Sequence, residues 1–283
     1  MANLNKKTGF IGAGNMAEAI IGAITRTGVI PSSMIYASDV NAERLNMLKK
    51  TYSISGTADN IKLFSICDII VLAVKPQQMA DVLQQLTSQK EYSVPRRKLV
   101  ISIAAGVPLA KLENLLYSPL SKGENENLPI IRVMPNTPAL VLAGMSGMTP
   151  NRHALPDDIN AARTILEAMG KVIEFKEDDL DAVTALSGSG PAYLFYLAES
   201  MIQAGINMGL DPYDASILTN TTLKGAVILM EEMNEPPELL RRRVTSPGGT
   251  TEEAFRVLEK KKVKEAIAEA IAAAARRSKE LRS

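Results

Sequence analysis

The residues best placed to do chemistry are small ones. Gly12-Ala13-Gly14-Asn15-Met16-Ala17 follows the apolar TGFI and opens the helix-like MAEAIIGAI. Gly12 permits a tight turn, Gly14 lets the backbone close on a pyrophosphate, and Ala17 stands where a third small residue lets helix and strand pack closely. The N–H groups at that helix start suit phosphate charge. A GxGxxA alone is often a plain turn, but this one sits at the first strand-to-helix junction, which makes it a dinucleotide-binding signal. In MIYASDVNAERL, Asp39 falls where a carboxylate grips the adenosine ribose in NAD sites. Its alternative reading is a cap for the helix beginning near Asn41. Ala73-Val74-Lys75-Pro76 and Ala104-Ala105-Gly106 close two further strand-like runs. Ligands of open α/β sheets bind at such strand ends, and the small residues there suit a nicotinamide lying against the backbone.

Two more stretches combine glycines with hydroxyls, LSGSGP at residues 186–191 and SPGGTT at residues 246–251. Each precedes a helix, with Pro191 at a first helical position and Thr250 with Glu253 reading as a capping box. Capping alone does not account for Pro247-Gly248-Gly249. Adjacent glycines let successive N–H groups converge on an anion at the positive end of a helix. The second stretch reads as a carboxylate cradle edged with hydroxyls.

The elements that must position these loops are legible in outline. GFIG, MIYAS, IIVLAV, LVISIA, IIRVM and KVIEF are short, β-branched and apolar, and helical periodicity separates them. That is the doubly wound α/β pattern of a mostly parallel sheet. The polar SPLSKGENENLP, residues 118–129, reads as a loop. After Lys176 strand signals stop and helix follows helix, with Asp211-Pro212 a helix start and Glu235-Pro236-Pro237 a break between two. The expected domains are a Rossmann unit at 1–175 and an all-helical unit at 176–283. With 283 residues, 46% of them hydrophobic, each has enough chain for a core of its own.

With 32 basic against 31 acidic side chains, no net field favours nucleic acid or an anionic membrane. The single cysteine, Cys67, leaves no internal disulfide framework and no cysteine-rich zinc site, and no metal is expected. The single histidine, His153, reads as a surface residue of the loop NRHALPDD. No apolar run reaches the roughly 20 residues that span a bilayer. The polar start of the chain leads straight into TGFIGAG without a signal-peptide pattern, so a cytoplasmic protein is expected.

In order and spacing, TGFIGAGNMAEAI, IIVLAVKPQ, VMPNTPA, DAVTALSGSGPAYLF and VTSPGGTTEEAF resemble the Δ1-pyrroline-5-carboxylate reductases, which make L-proline. The similarity runs from Lys7 to about Leu281. LSGSGPAY followed by TSPGGTT is specific to that family, whereas many dehydrogenases share the glycine turn. The resemblance implies a Rossmann domain, a helical dimerisation domain that interlocks with a second subunit, and a site where one chain's cofactor faces the other's SPGG loop. It matches Ile11, Gly12, Ala13, Gly14, Asn15, Met16, Asp39, Asn60, Ala73, Val74, Lys75, Pro76, Ala104, Ala105 and Gly106 to cofactor contacts. It matches Ser246, Gly248, Gly249, Thr250 and Thr251 to substrate contacts.

Such an enzyme fixes the carboxylate of a cyclic imine, presents C5 to the nicotinamide and delivers a proton to nitrogen. The glycine N–H groups are expected to take the carboxylate and Thr251, the expected catalytic residue, the ring nitrogen. An electrophilic imine needs mainly positioning, so neither histidine nor metal is called for. NADH or NADPH is the expected cofactor, with NADH preferred because Asp39 repels a 2′-phosphate, although Arg44 nearby is able to swing in and offset it. The apolar PAYLFYLAESMIQAGINMG and the stripe Val263, Ala266, Ile267, Ala270, Ile271, Ala274 imply a homodimer or stacked dimers, a decamer among them. A β-hydroxyacid dehydrogenase shares the two-domain plan but needs a lysine on the helix entering the second domain. This chain has none between Lys176 and Lys224. A non-catalytic nucleotide sensor is the other alternative, and the intact SPGGTT loop argues against it.

Overall fold

The computed structural model describes residues 4–282. Its strands are β1 (Thr8–Ile11), β2 (Ile35–Ser38), β3 (Ser55–Thr57), β4 (Ile69–Leu72), β5 (Leu99–Ser102), β6 (Ile130–Met134), β7 (Gly144–Pro150) and β8 (Gly170–Glu174). They form one sheet in the order β3-β2-β1-β4-β5-β6-β7-β8, parallel except for the antiparallel β6·β7 pair. β1, β4 and β5 are buried along their whole length, which is why their apolar residues run continuously instead of alternating.

The helices α1 (Asn15–Arg26), α2 (Ala42–Tyr52), α3 (Asn60–Ile66), α4 (Pro76–Thr87), α5 (Leu109–Tyr117), α6 (Lys122–Glu126) and α7 (Pro156–Glu167) connect these strands. They enclose two cores, one on each face of the sheet. Ile20, Ile24 and Leu48 pack with Phe10 and Val71 on one face, while Leu63, Leu83 and Leu112 pack with Ile70 and Val100 on the other. Chain order reverses across β1, whose neighbours are β2 and β4, and the two glycines of the first turn lie just past that switch point.

Two strands depart from the expectation. β3 is only SGT and β7 is GMSGMTP; neither has the β-branched density of the others, and both arise by pairing with β2 and β6. Residues 118–129 also hold more than a loop, because Ser121 and Glu124 form a reciprocal capping box on α6.

The chain divides into two compact units, residues 1–188 with 274–283, and residues 189–273. The first compact unit extends to Gly188, beyond the expected strand region, because α8 (Leu180–Val183) and a π-helical turn, Thr184–Gly188, pack with the sheet unit. Buried Asp181 there accepts a 2.8 Å hydrogen bond from Ser278. The second unit carries α9 (Gly190–Asn207), α10 (Pro212–Met233), α11 (Pro237–Arg243) and α12 (Thr250–Lys260), together with the first half of α13 (Val263–Arg282). Asp211 caps α10 through the Tyr213 N–H, and Pro236-Pro237 opens α11, as expected. Among its side chains only Ala215 and Thr219 are buried within one chain.

Candidate active site

At the C-terminal ends of β1, β2 and β4 lies a cavity of about 460 Å³. Of the residues singled out for the cofactor, it is lined by Ile11, Gly12, Ala13, Gly14, Asp39, Asn60, Ala73, Val74 and Lys75. Asn15, Met16, Pro76, Ala104, Ala105 and Gly106 lie outside that lining. Gly12 has φ +97°, and a Cβ there would stand 2.8 Å from the Ala73 carbonyl, so only glycine fits between β1 and β4. A Cβ on Gly14 would meet nothing within 4 Å, so the wall at this residue faces open space where a phosphate can approach. The donor set and the open cradle fit a dinucleotide.

Asp39 lines the cavity and is not the cap of α2, the alternative that the sequence offered. Its Oδ2 accepts from the Ala13 N–H at 2.7 Å and its Oδ1 from the Asn41 N–H at 2.8 Å. The cap of α2 is Asn41, which accepts from the Arg44 N–H. Arg44 does not turn to Asp39. Its Nη2 pairs with Glu18 at 2.5 Å and its Nε donates to the Ala13 carbonyl at 2.7 Å. The Tyr52 hydroxyl completes the cluster by donating to the other Glu18 oxygen at 3.2 Å. Burial, and then the charge of Glu18, raise the Tyr52 pKa. Asn60 accepts from the buried Ser38 hydroxyl at 2.6 Å through Oδ1, which leaves its NH2 as a donor on the cavity wall.

Sequence reasoning missed Ser38, Val40, Asn41, Ala58, Gln78 and Val82 as lining residues, and gave Arg44 the wrong partner. Val40 and Asn41 directly follow Asp39, and reading the strand end as a segment instead of one acid would have found them.

The loop before α12 holds the residues singled out for the substrate. Gly248 has φ +73°, a conformation for which glycine is suited. The expected capping box is absent: Gly249 is the N-cap without a side-chain bond, and Glu253 pairs with Arg256 at 2.9 Å. Glu252 reaches back instead, accepting from the Gly248 N–H at 2.8 Å, while the Gly249 N–H donates to the Ser246 carbonyl. Ser246, Gly248, Gly249, Thr250 and Thr251 thus share one loop and helix start. A hollow of about 440 Å³ beside α12 is lined by other residues, among them Arg241, Arg256 and Glu252.

Elsewhere, Asn136 of VMPNTPA donates to the Ser187 hydroxyl at 3.2 Å, which ties that motif to LSGSG. His153 is no simple surface residue, since its ring meets Tyr117 edge-on at 5.7 Å and its Nε2 is buried without a partner.

A family model described as pyrroline-5-carboxylate reductase dimerisation matches residues 177–281, and one described as NADP oxidoreductase, coenzyme F420-dependent, matches residues 7–106. Pyrroline-5-carboxylate reductase 2 of Bacillus subtilis (strain 168) is 38% identical over 278 residues, which cover 98% of this chain and 95% of that one. The solved structure of a pyrroline-5-carboxylate reductase from Coxiella burnetii matches with a TM-score of 0.88 at 36% identity, over 99% of this chain and 100% of the other. That of Plasmodium falciparum pyrroline carboxylate reductase with NADP bound matches with a TM-score of 0.87 at 33% identity, over the whole of both chains. At such identity over the full length, the chain belongs to the pyrroline-5-carboxylate reductases, NAD(P)H-dependent oxidoreductases that reduce the C=N bond of Δ1-pyrroline-5-carboxylate to give L-proline.

Proposed function

We propose that this chain reduces Δ1-pyrroline-5-carboxylate in the cytoplasm, with the cofactor in the cavity at β1, β2 and β4 and the substrate at the loop before α12. The observation that carries the substrate half is the bond from the Gly248 N–H to a carboxylate, that of Glu252, at 2.8 Å. A loop that holds its own carboxylate in this way has the geometry to hold the substrate's. The incoming carboxylate takes the Gly248 donor as the Glu252 side chain swings aside, the Ser246 and Thr250 hydroxyls edge the cradle, and Gly249, whose N–H is held by the Ser246 carbonyl, shapes the turn.

Reduced nicotinamide, when bound, supplies a hydride to C5. The Thr251 hydroxyl hydrogen-bonds the ring nitrogen and holds or relays the proton that it gains. One hydride and one proton convert C=N to CH–NH, so the balance needs no other reactant. Ala104, Ala105 and Gly106 form the seat of the nicotinamide, and the second chain of a dimer, or of dimers stacked toward a decamer, brings its loop to this chain's cofactor.

Thr251→Val replaces the hydroxyl with a methyl of nearly equal size. Losing one such bond costs roughly 1 to 3 kcal/mol of transition-state stabilisation. Consumption of reduced nicotinamide with the cyclic imine should show kcat/KM down roughly 10- to 100-fold, with the KM for NADH unmoved. Unchanged kinetics would remove Thr251 from the mechanism.

A further inference from the structure

Ala13 is held by side chains at both of its backbone polar groups. Its N–H donates to Asp39 and its carbonyl accepts from Arg44, each at 2.7 Å. A trans peptide is planar, with its C=O and N–H pointing in opposite directions. A guanidinium that fixes the Ala13 carbonyl therefore also fixes the Gly14 N–H, aimed away from Arg44. Asp39 fixes the preceding Gly12–Ala13 peptide in the same way. Arg44 cannot wander, since Glu18 of α1 pairs with its Nη2 at 2.5 Å and Tyr52 at the end of α2 holds the other Glu18 oxygen. Arg44 and Glu18 are each about three-quarters shielded from solvent, with side-chain exposures of 23% and 24%.

We propose that Arg44 is a positioning residue for the cofactor: braced by Glu18 and Tyr52, it sets the Ala13–Gly14 peptide before the cofactor arrives, for NADH and NADPH alike. The inference rests on the reading of this glycine turn as the pyrophosphate seat. Donors aimed in advance spare the cofactor the ordering cost of an otherwise adaptable glycine turn.

The test measures KM for NADH, NADPH and the cyclic imine, together with kcat, in Arg44→Ala, Glu18→Gln and Gly14→Val. In Arg44→Ala, KM should rise about tenfold for both cofactors, with their ratio, kcat and the KM for the imine kept. Glu18→Gln, which keeps the size of the side chain, should show the same pattern to a smaller extent. A loss confined to NADPH would make Arg44 a ligand of the 2′-phosphate and overturn the proposal; unchanged values for both cofactors would overturn it too. Gly14→Val separates the two readings, because a Cβ there meets nothing within 4 Å, and an unchanged urea midpoint shows that the fold is kept. If it abolishes cofactor binding while Arg44→Ala does nothing, the seat stands and the brace fails. If it leaves cofactor binding intact, the seat itself is misplaced.

Discussion

Cofactor choice is decided at a few atoms. Because Arg44 is committed to Glu18 and to the Ala13 carbonyl, it is not available to neutralise Asp39. Each Asp39 oxygen accepts one backbone N–H, and a carboxylate oxygen has capacity for more than one donor. With the cofactor placed as proposed, the ribose hydroxyls of NADH would find acceptors left to them there, while a 2′-phosphate would meet an uncompensated charge. Asn60 supplies a donor on the same wall, which keeps NADPH usable. Two unit charges about 4 Å apart in water-like surroundings interact by about 1 kcal/mol, so about a fivefold preference for NADH is expected. Asp39→Ser should shift the kcat/KM ratio toward NADPH by about that factor while lowering efficiency with NADH, since the acceptor for the Ala13 N–H weakens too. Steady-state kinetics with both cofactors decide it, and a wild type that clearly prefers NADPH would show the carboxylate serving the glycine turn alone.

Among the elements, the entry to β5 carries a buried lysine. Lys98 is 4% exposed, its Nζ donates to the Cys67 carbonyl, and the ammonium lies 5.0 Å from the Phe64 ring centroid. Burial pushes its pKa down to about 8. The unfolded chain keeps its lysine protons to about pH 10.4, so between about pH 8 and that value the unfolded state binds the extra proton. From this group, stability rises with pH across that window, and the full cost of burying the charge is felt below it. Lys98→Met should flatten the pH dependence of the urea midpoint on the alkaline side; an identical slope in both proteins would show that Lys98 does not titrate there. Strands such as β4 and β5 were legible because IIVL and LVIS are buried on both faces and carry the fold signal in every residue. β7 was not, because GMSGMTP becomes a strand only through its partner β6. The site divides in the same way. Its glycine turn is local and readable, whereas the bond from Arg44 to Ala13 spans 31 positions and exists only once α2 has folded against the turn. The reach of Glu252 to Gly248 is local, but Glu253 offered the commoner capping pattern and drew the reading to itself.

For the whole molecule, association follows from what a single chain leaves uncovered. Phe195 and Tyr196 on α9 are 69% and 73% exposed, and Leu218, Ile228 and Leu229 of α10 and Ile267 of α13 are also open. Apolar surface on this scale marks a protein interface, in keeping with the dimerisation domain matched over residues 177–281. Phe195→Asp should yield monomers by light scattering that still bind NADH but have lost most of their reductase activity, and an active monomer would overturn the shared site. The sheet unit, in contrast, closes within one chain, and it draws on both of its ends. The bond from Ser278 to Asp181 joins residues 97 positions apart, and residues 274–283 return to the unit that residue 188 left. Topologically the helical part is an insertion into the nucleotide-binding domain and not an appendix to it, tethered at both ends to one body. Because the closure cost of a chain segment grows only logarithmically with its length, the long stretch between residues 188 and 274 adds little to the cost of bringing the two parts of the sheet unit together.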